Sequence, residues 1–141
     1  MSLKSAFKTD ALKENEGVEI PFPMAENEDG TIPTFLVSRM GKNNKAYQKS
    51  LEVITRPYRR QLDTGTIKPD VSRKIFMEVF CDSILKGWSN VRNEDGSEIV
   101  FSKAAAIELM EELPDLYDVL VYESQELANF RQAALENEAK N

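Results

Sequence analysis

Carboxylates are the side chains of this sequence whose spacing could carry chemistry. Glu111-Glu112, and Asp115 with Asp118, stand close enough to be metal ligands or an acid–base couple. Asn-Glu-Asp-Gly occurs twice, at residues 27–30 and 93–96, and has the look of a calcium loop. An EF-hand loop requires oxygen ligands at its first, third and fifth positions, glycine at the sixth and a bidentate Glu at the twelfth. Alignment on Gly96 places Val91 first and Ser102 twelfth; alignment on Gly30 places Ala25 first and Leu36 twelfth. Both fail at both ends, so both stretches read as plain turns. The acid pairs have no pocket signal around them and read better as solvated helix faces. Arg56, Arg59 and Arg60 could grip phosphate. Three readings stay open for them: a solvated helix face first, a partner or self-association surface second, nucleic acid third.

Histidine is absent. That excludes Ser-His and Cys-His nucleophile pairs, histidine metal ligands and a general base that titrates near neutrality unaided. Cys81 is the single cysteine, so no internal disulfide can form. Within its apolar helical pattern it reads as a small buried thiol. The glycines at 17, 30, 41, 65, 87 and 96 are all isolated, and no phosphate-cradling loop is present. An enzyme is therefore the weaker class, and no catalytic residue, metal ligand or cofactor is nominated.

A chain of 141 residues with 41% hydrophobic and 30% charged residues suits one soluble domain. Its apolar runs are too short for a membrane span. The opening Met1-Ser2-Leu3-Lys4-Ser5-Ala6-Phe7-Lys8 lacks the apolar stretch of a secretory signal, so cytoplasm is the expected compartment. The net charge of −6 is unevenly placed. Residues 1–35 hold three Lys against seven acids, residues 36–75 ten Lys or Arg against three, and residues 76–141 five against fourteen. Such a bipolar chain can fold so that its halves attract, or associate head to tail with its own copies.

These groups must be positioned by elements that the periodicity suggests. Residues 1–15 read as a loosely ordered N-terminus and residues 18–39 as an irregular hairpin, with Pro21 confined to an edge. Asn44 can cap a helix running to about Leu62, with Tyr47, Leu51, Ile54, Tyr58 and Leu62 on one face and a kink at Pro57. A central core helix starts near Pro69 and presents Val71, Ile75, Phe76, Val79, Phe80, Ile84 and Leu85, with Gly87 as its stop. Trp88 either plugs the end of that helix or stands out as an anchor for a partner. A short hairpin turns at Gly96. Ser102 then caps an Ala-rich helix, and a last helix runs from Asp115 to about Glu136, carrying Tyr117, Val121 and Tyr122 off its main stripe for another chain to cover. The expected fold is mainly α: one domain over residues 1–141 with four to five helices and one or two short β-hairpins, its helical core over 44–136 and a frayed tail over 137–141.

Several segments, taken in order, resemble the tail assembly chaperones of long-tailed, lambda-like bacteriophages. They are Phe35-Leu36-Val37-Ser38-Arg39 with Asn43-Asn44-Lys45-Ala46-Tyr47, then Ile84-Leu85-Lys86-Gly87-Trp88 and Val91-Arg92-Asn93-Glu94-Asp95-Gly96. Ile99-Val100-Phe101-Ser102, Leu113-Pro114-Asp115-Leu116 and an acidic helix ending in Phe130 follow. The resemblance covers roughly residues 30–135 and lies in the combination, with Gly87, Trp88 and Gly96 as structural landmarks. It implies a protein of the bacterial host cytoplasm, absent from the mature virion, that binds the tape measure protein and helps tail tube subunits polymerise around it. It also implies a minor form, extended by programmed frameshift, that recruits the tail tube protein. Ala139-Lys140-Asn141 can be encoded as GCA AAA AAC, a slippery sequence, so a slip at Lys140-Asn141 is expected and the codons of the gene check it. The charge pattern adds a homo-oligomer, and no membrane is involved. The alternative is a small nucleic-acid-binding regulator using the basic helix around Arg56–Arg60, which the acidic net charge opposes.

Overall fold

The computed structural model describes residues 2–131. In chain order its elements are α1 (Leu3–Ala6), α2 (Ala11–Glu16), β1 (Val18–Pro21), β2 (Thr34–Val37), α3 (Lys45–Thr55), α4 (Arg59–Thr64), α5 (Pro69–Val79), β3 (Leu85–Ser89), α6 (Lys103–Glu112) and α7 (Pro114–Gln125). The strands form one antiparallel sheet in the order β1-β2-β3. Pro21, with no N–H to donate, lies on an edge strand. On central β2, Phe35 and Val37 are buried while Thr34 and Leu36 are half-buried. Across from it, Trp88 faces Phe35, Gly87 faces Leu36 and Leu85 faces Val37, leaving Lys86 as a bulge.

This sheet overturns the mainly helical expectation. The domain is mixed α/β, a three-stranded antiparallel sheet with helices packed on it, and β3 makes the difference. Ile84 and Leu85 continue the helical spacing of Val79 and Phe80, which is why the core helix is expected to run to a stop at Gly87. In the structure α5 widens into a π-helical turn, Phe80–Ile84, and passes directly into β3. The carbonyls that this turn frees are not left bare. Ser38 donates its N–H to the Ile84 carbonyl at 2.9 Å and its hydroxyl to the Ser83 carbonyl at 3.1 Å. Pairing with the open edge of β2 satisfies the backbone that follows, and long-range pairing outweighs local periodicity.

Helix boundaries follow local chemistry. Asn44 caps α3 by accepting from the Tyr47 N–H at 3.2 Å, and Ser102 caps α6 by accepting from the Ala105 N–H at 3.0 Å. Pro57 lies in a 3-10 turn, Arg56–Tyr58, that separates α3 from α4. The last helix is shorter than expected and ends at Gln125. Asn129 donates its amide to the Glu123 carbonyl at 2.9 Å and Met40 its N–H to the Ser124 carbonyl at 2.9 Å, so the last turn is satisfied without another helical turn. A 3-10 turn, Leu127–Phe130, follows, and the fully buried Phe130 ring lies under the Arg39 guanidinium. The expected helix beyond residue 131, the frayed tail and the Lys140-Asn141 slip site lie outside the described residues.

The N-terminal segment carries α1 and α2. Asp10 donates its N–H to the Phe130 carbonyl at 2.8 Å, and Thr9 bridges to Arg131, so this segment is stitched to the far end of the fold. Glu14 is buried there, bonded to the Thr9 hydroxyl and near Arg39.

The core joins Phe35 and Val37 of the sheet to Met77, Phe80 and Ile84, to Met110 of α6 and to Leu120 of α7. Phe76, expected inside, is 39% exposed, whereas Met77 is 4% exposed. No helix among the described residues is long and apolar enough to cross a membrane.

Candidate functional site

The segment from Leu85 to Ser102 is held by aromatic rings. Trp88 is a half-buried strand residue rather than a plug at a helix end. Edge-to-face contacts run from Phe22 to Phe35 (5.4 Å), Phe35 to Trp88 (5.9 Å) and Trp88 to Phe101 (4.9 Å). The Trp88 indole N–H donates to the Ile99 carbonyl at 2.7 Å, fixing the chain that leads into α6. Gly87 lies inside β3, not at a helix stop, and a methyl there would meet nothing within 4 Å.

Gly96 closes one of two matching turns. In each, the Gly N–H donates to the Asn carbonyl at 2.9 Å (Gly30 to Asn27, Gly96 to Asn93). The following hydroxyl, on Thr31 or Ser97, donates to the Asp Oδ1 at 2.6 Å. The Asn amide bonds that same hydroxyl oxygen at 3.0 Å. Read along the chain the repeat is too short to count as a duplication, yet folding sets the two copies side by side. Asn27 donates to the Asn90 carbonyl at 2.9 Å and Arg92 pairs with Asp29 at 2.8 Å. The shared hydroxyl after each glycine is the signal that marks the pair in sequence. A cleft of about 330 Å³ lies between them, rimmed by Glu26, Glu28, Glu94 and Asp95. The Thr31 hydroxyl and the Arg92 guanidinium hold the Asp29 carboxyl well below the usual range, and Ser97 lowers Asp95. Among the described residues, no three His, Cys, Asp or Glu side chains are placed to share a metal ion.

The turns invite a direct measurement. Gly30 and Gly96 have φ of 88° and 89°, with no atom near an added Cβ. Gly30→Ala and Gly96→Ala are each expected to cost about 1–2 kcal/mol from backbone conformation alone, and by matching amounts. Urea titration of both variants checks this. Costs that differ by more than about 1 kcal/mol would show that the two turns are not equivalent.

Arg56, Arg59 and Arg60 are exposed at the junction of α3 and α4. Arg56 pairs with Glu52 one turn back at 3.3 Å. Among the described residues Arg59, Arg60, Lys45 and Lys49 make no ion pair. The three residues nominated on α7 separate. Tyr117 is in the core, its ring edge-to-face with Phe80 at 5.4 Å and beneath the Arg73 guanidinium, and burial pushes its hydroxyl up to about 12. Val121 is half-buried against the core. Tyr122 is 61% exposed. The structure therefore does not join these six residues into one surface.

A polar node that periodicity does not signal ties α3 to α6. Asp82, in the π turn, accepts from the Ser50 hydroxyl at 2.7 Å and pairs with Lys103 at 3.2 Å; Lys103 also reaches Glu78 at 3.5 Å. The Ser50 hydrogen bond and the Lys103 charge lower the Asp82 pKa against the opposing effect of burial. A depressed folded pKa contributes stability in full above the unfolded value, near pH 4, and loses it as pH falls through the folded value. Asp82→Asn is thus expected to flatten the fall of Tm below about pH 4, read by circular dichroism from pH 2 to 7. Parallel profiles for the two proteins would remove Asp82 from the acid response. Neighbouring Cys81 is buried, and that burial pushes its thiol up to about 12, as suits a core residue.

Fold and surface together define a small mixed α/β domain with a basic ridge on α3–α4 and acidic helices at α6–α7. The chain belongs to the YdaY prophage protein family, whose family model matches residues 42–141. It is a phage-derived protein, as the phage part of the resemblance implied. Comparison with curated proteins finds no match, and neither does comparison with solved structures.

Proposed function

We propose that this prophage protein is a non-enzymatic tail assembly chaperone that binds the tape measure protein, keeps it soluble and promotes tube assembly in the host cytoplasm. The observation that carries this reading is an exposed apolar pair on one face of α7. Val119 and Tyr122 are 44% and 61% exposed and follow one another at helical spacing, with Asp115 one turn before them and Glu126 bonded to the Tyr122 hydroxyl. Large exposed side chains with a charged rim suit the apolar stripe of an amphipathic helix, the kind of segment a tape measure protein offers. The tail tube protein would join through a frameshift-extended form of the chain.

Co-expression with the tape measure protein of the same prophage tests the reading. Soluble tape measure protein that copurifies is expected, and Val119→Glu with Tyr122→Glu should weaken capture by about tenfold or more. A tape measure protein that stays insoluble, with nothing copurifying, overturns it. The nucleic-acid alternative keeps one supporting observation: among the described residues Arg59 and Arg60 make no ion pair. Gly65 does form a turn between α4 and α5, but α4 has six residues and α5 buries Ile75, Met77 and Val79, so neither suits a groove-reading helix. A low-salt electrophoretic shift with duplex DNA is the measurement that would favour it.

A further inference from the structure

Among the described residues the bipolar charge is not neutralised by ion pairs within the fold. Its ion pairs among the described residues are Arg39–Glu14, Arg56–Glu52, Arg73–Asp118, Arg92 with Asp29 and Glu98, and Lys103 with Glu78 and Asp82. None joins the α3–α4 ridge to the carboxylates of α6. The fold explains why: α5 packs against both α3 and α6, which make little contact with each other. Among the described residues the ridge and the α6 carboxylates therefore do not pair within one molecule.

Each surface also has an apolar centre. On α3, Lys49, Val53 and Arg56 follow one another at helical spacing, and Val53 is half exposed. Beside them an open groove of about 610 Å³ runs past Lys45, Lys49, Leu51 and Arg59, with Glu52, the partner of Arg56, as its one carboxylate. On the acidic side, a groove of about 350 Å³ lies between α6 and the chain before it. Glu98, Glu108 and Glu112 line it together with the apolar Ile99, Val100 and Leu109, of which Leu109 is buried. Val100 is 82% exposed. A positive ridge with a valine at its middle meets the needs of a negative groove with apolar side chains in its lining.

We propose that the α3 ridge of one molecule docks in the acid-lined α6 groove of a second copy. The contact is heterologous, so each added molecule leaves one ridge and one groove open, and a chain or ring of subunits results. It is separate from the Val119–Tyr122 pair on α7, and the proposal does not rest on the chaperone reading.

A charge exchange tests it. The ridge variant (Lys49→Glu, Arg56→Glu) removes the positive excess of the ridge and leaves the groove intact; the groove variant (Glu108→Lys, Glu112→Lys) removes the negative excess of the groove and leaves the ridge intact. Analytical ultracentrifugation should show wild type above the 16.0 kDa monomer mass at 50 mM salt. Self-association should be at least about tenfold weaker at 500 mM salt. Each variant alone should sediment as a monomer, with unchanged far-ultraviolet circular dichroism. An equimolar mixture should associate again, because the intact ridge of the groove variant meets the intact groove of the ridge variant. Val119→Glu with Tyr122→Glu should self-associate like wild type, which separates this contact from tape measure binding. Wild type that is monomeric at low salt overturns the proposal. So do variants that still self-associate alone, or a mixture that stays monomeric. A monomeric wild type whose low-salt shift of duplex DNA disappears in the ridge variant assigns the ridge to nucleic acid instead.

Discussion

Phe80→Ala is expected to destabilise the protein by about 3–5 kcal/mol, lowering the urea midpoint by about 2 M. Phe80 has no exposed surface and stands at the first position of the π turn, where α5 meets the sheet and α7. Its ring packs edge-to-face on Tyr117 at 87°. Truncation removes the transfer free energy of the ring and leaves a cavity whose walls belong to different elements, so collapse into the space is restricted. The contrast is Phe76→Ala, one helical turn earlier, where the ring is partly in solvent. That change should cost less than about 1 kcal/mol. Equal losses at the two positions would mean that the buried side of α5 is not the one described.

Asn44→Ala is expected to cost about 2–4 kcal/mol, combining a lost helix cap with stranded polar groups. One side chain does two jobs here. Its carbonyl oxygen caps α3, while its amide donates to the Ser38 hydroxyl and to the Arg39 carbonyl, both at 3.0 Å. Ser38 in turn holds the carbonyls freed by the π turn, so the cap of one helix supports the end of another. Asn44→Ser keeps a cap oxygen but no amide and should recover about 1 kcal/mol of the loss. If Asn44→Ser unfolds at the same urea concentration as wild type, the buried amide contributes nothing.

The parts of this fold that were legible are those written locally. Asn44, Ser102, Pro57 and Pro69 mark their helix boundaries through bonds or ring geometry within a few residues. β3 was not legible, because Leu85-Lys86-Gly87-Trp88 becomes a strand only through partners on β2, almost fifty residues earlier. The early end of α7 escaped for the same reason, since Met40 supplies one of the donors that closes it. On the surface, the exposed position of Arg56, Arg59 and Arg60 follows from helical spacing. Tyr117 fell on the wrong side because the ring of Phe80 reaches it from another helix. The two Asn-Glu-Asp-Gly turns were readable as turns, but their adjacency depends on Arg92 and Asn27 crossing between distant loops.

The passage from α5 to β3 without a connecting loop also has a mechanical consequence. Leu85 directly follows the π turn, and the Ser38 bonds clamp the join. There is no slack at that point for sheet and central helix to swing separately. Tension applied along β3 would load α5 at once, and the α3 packed on it would follow. A partner pulling on the basic ridge would therefore drag the sheet with it. The unit would transmit force as one stiff piece, a property that suits the head-to-tail docking proposed above.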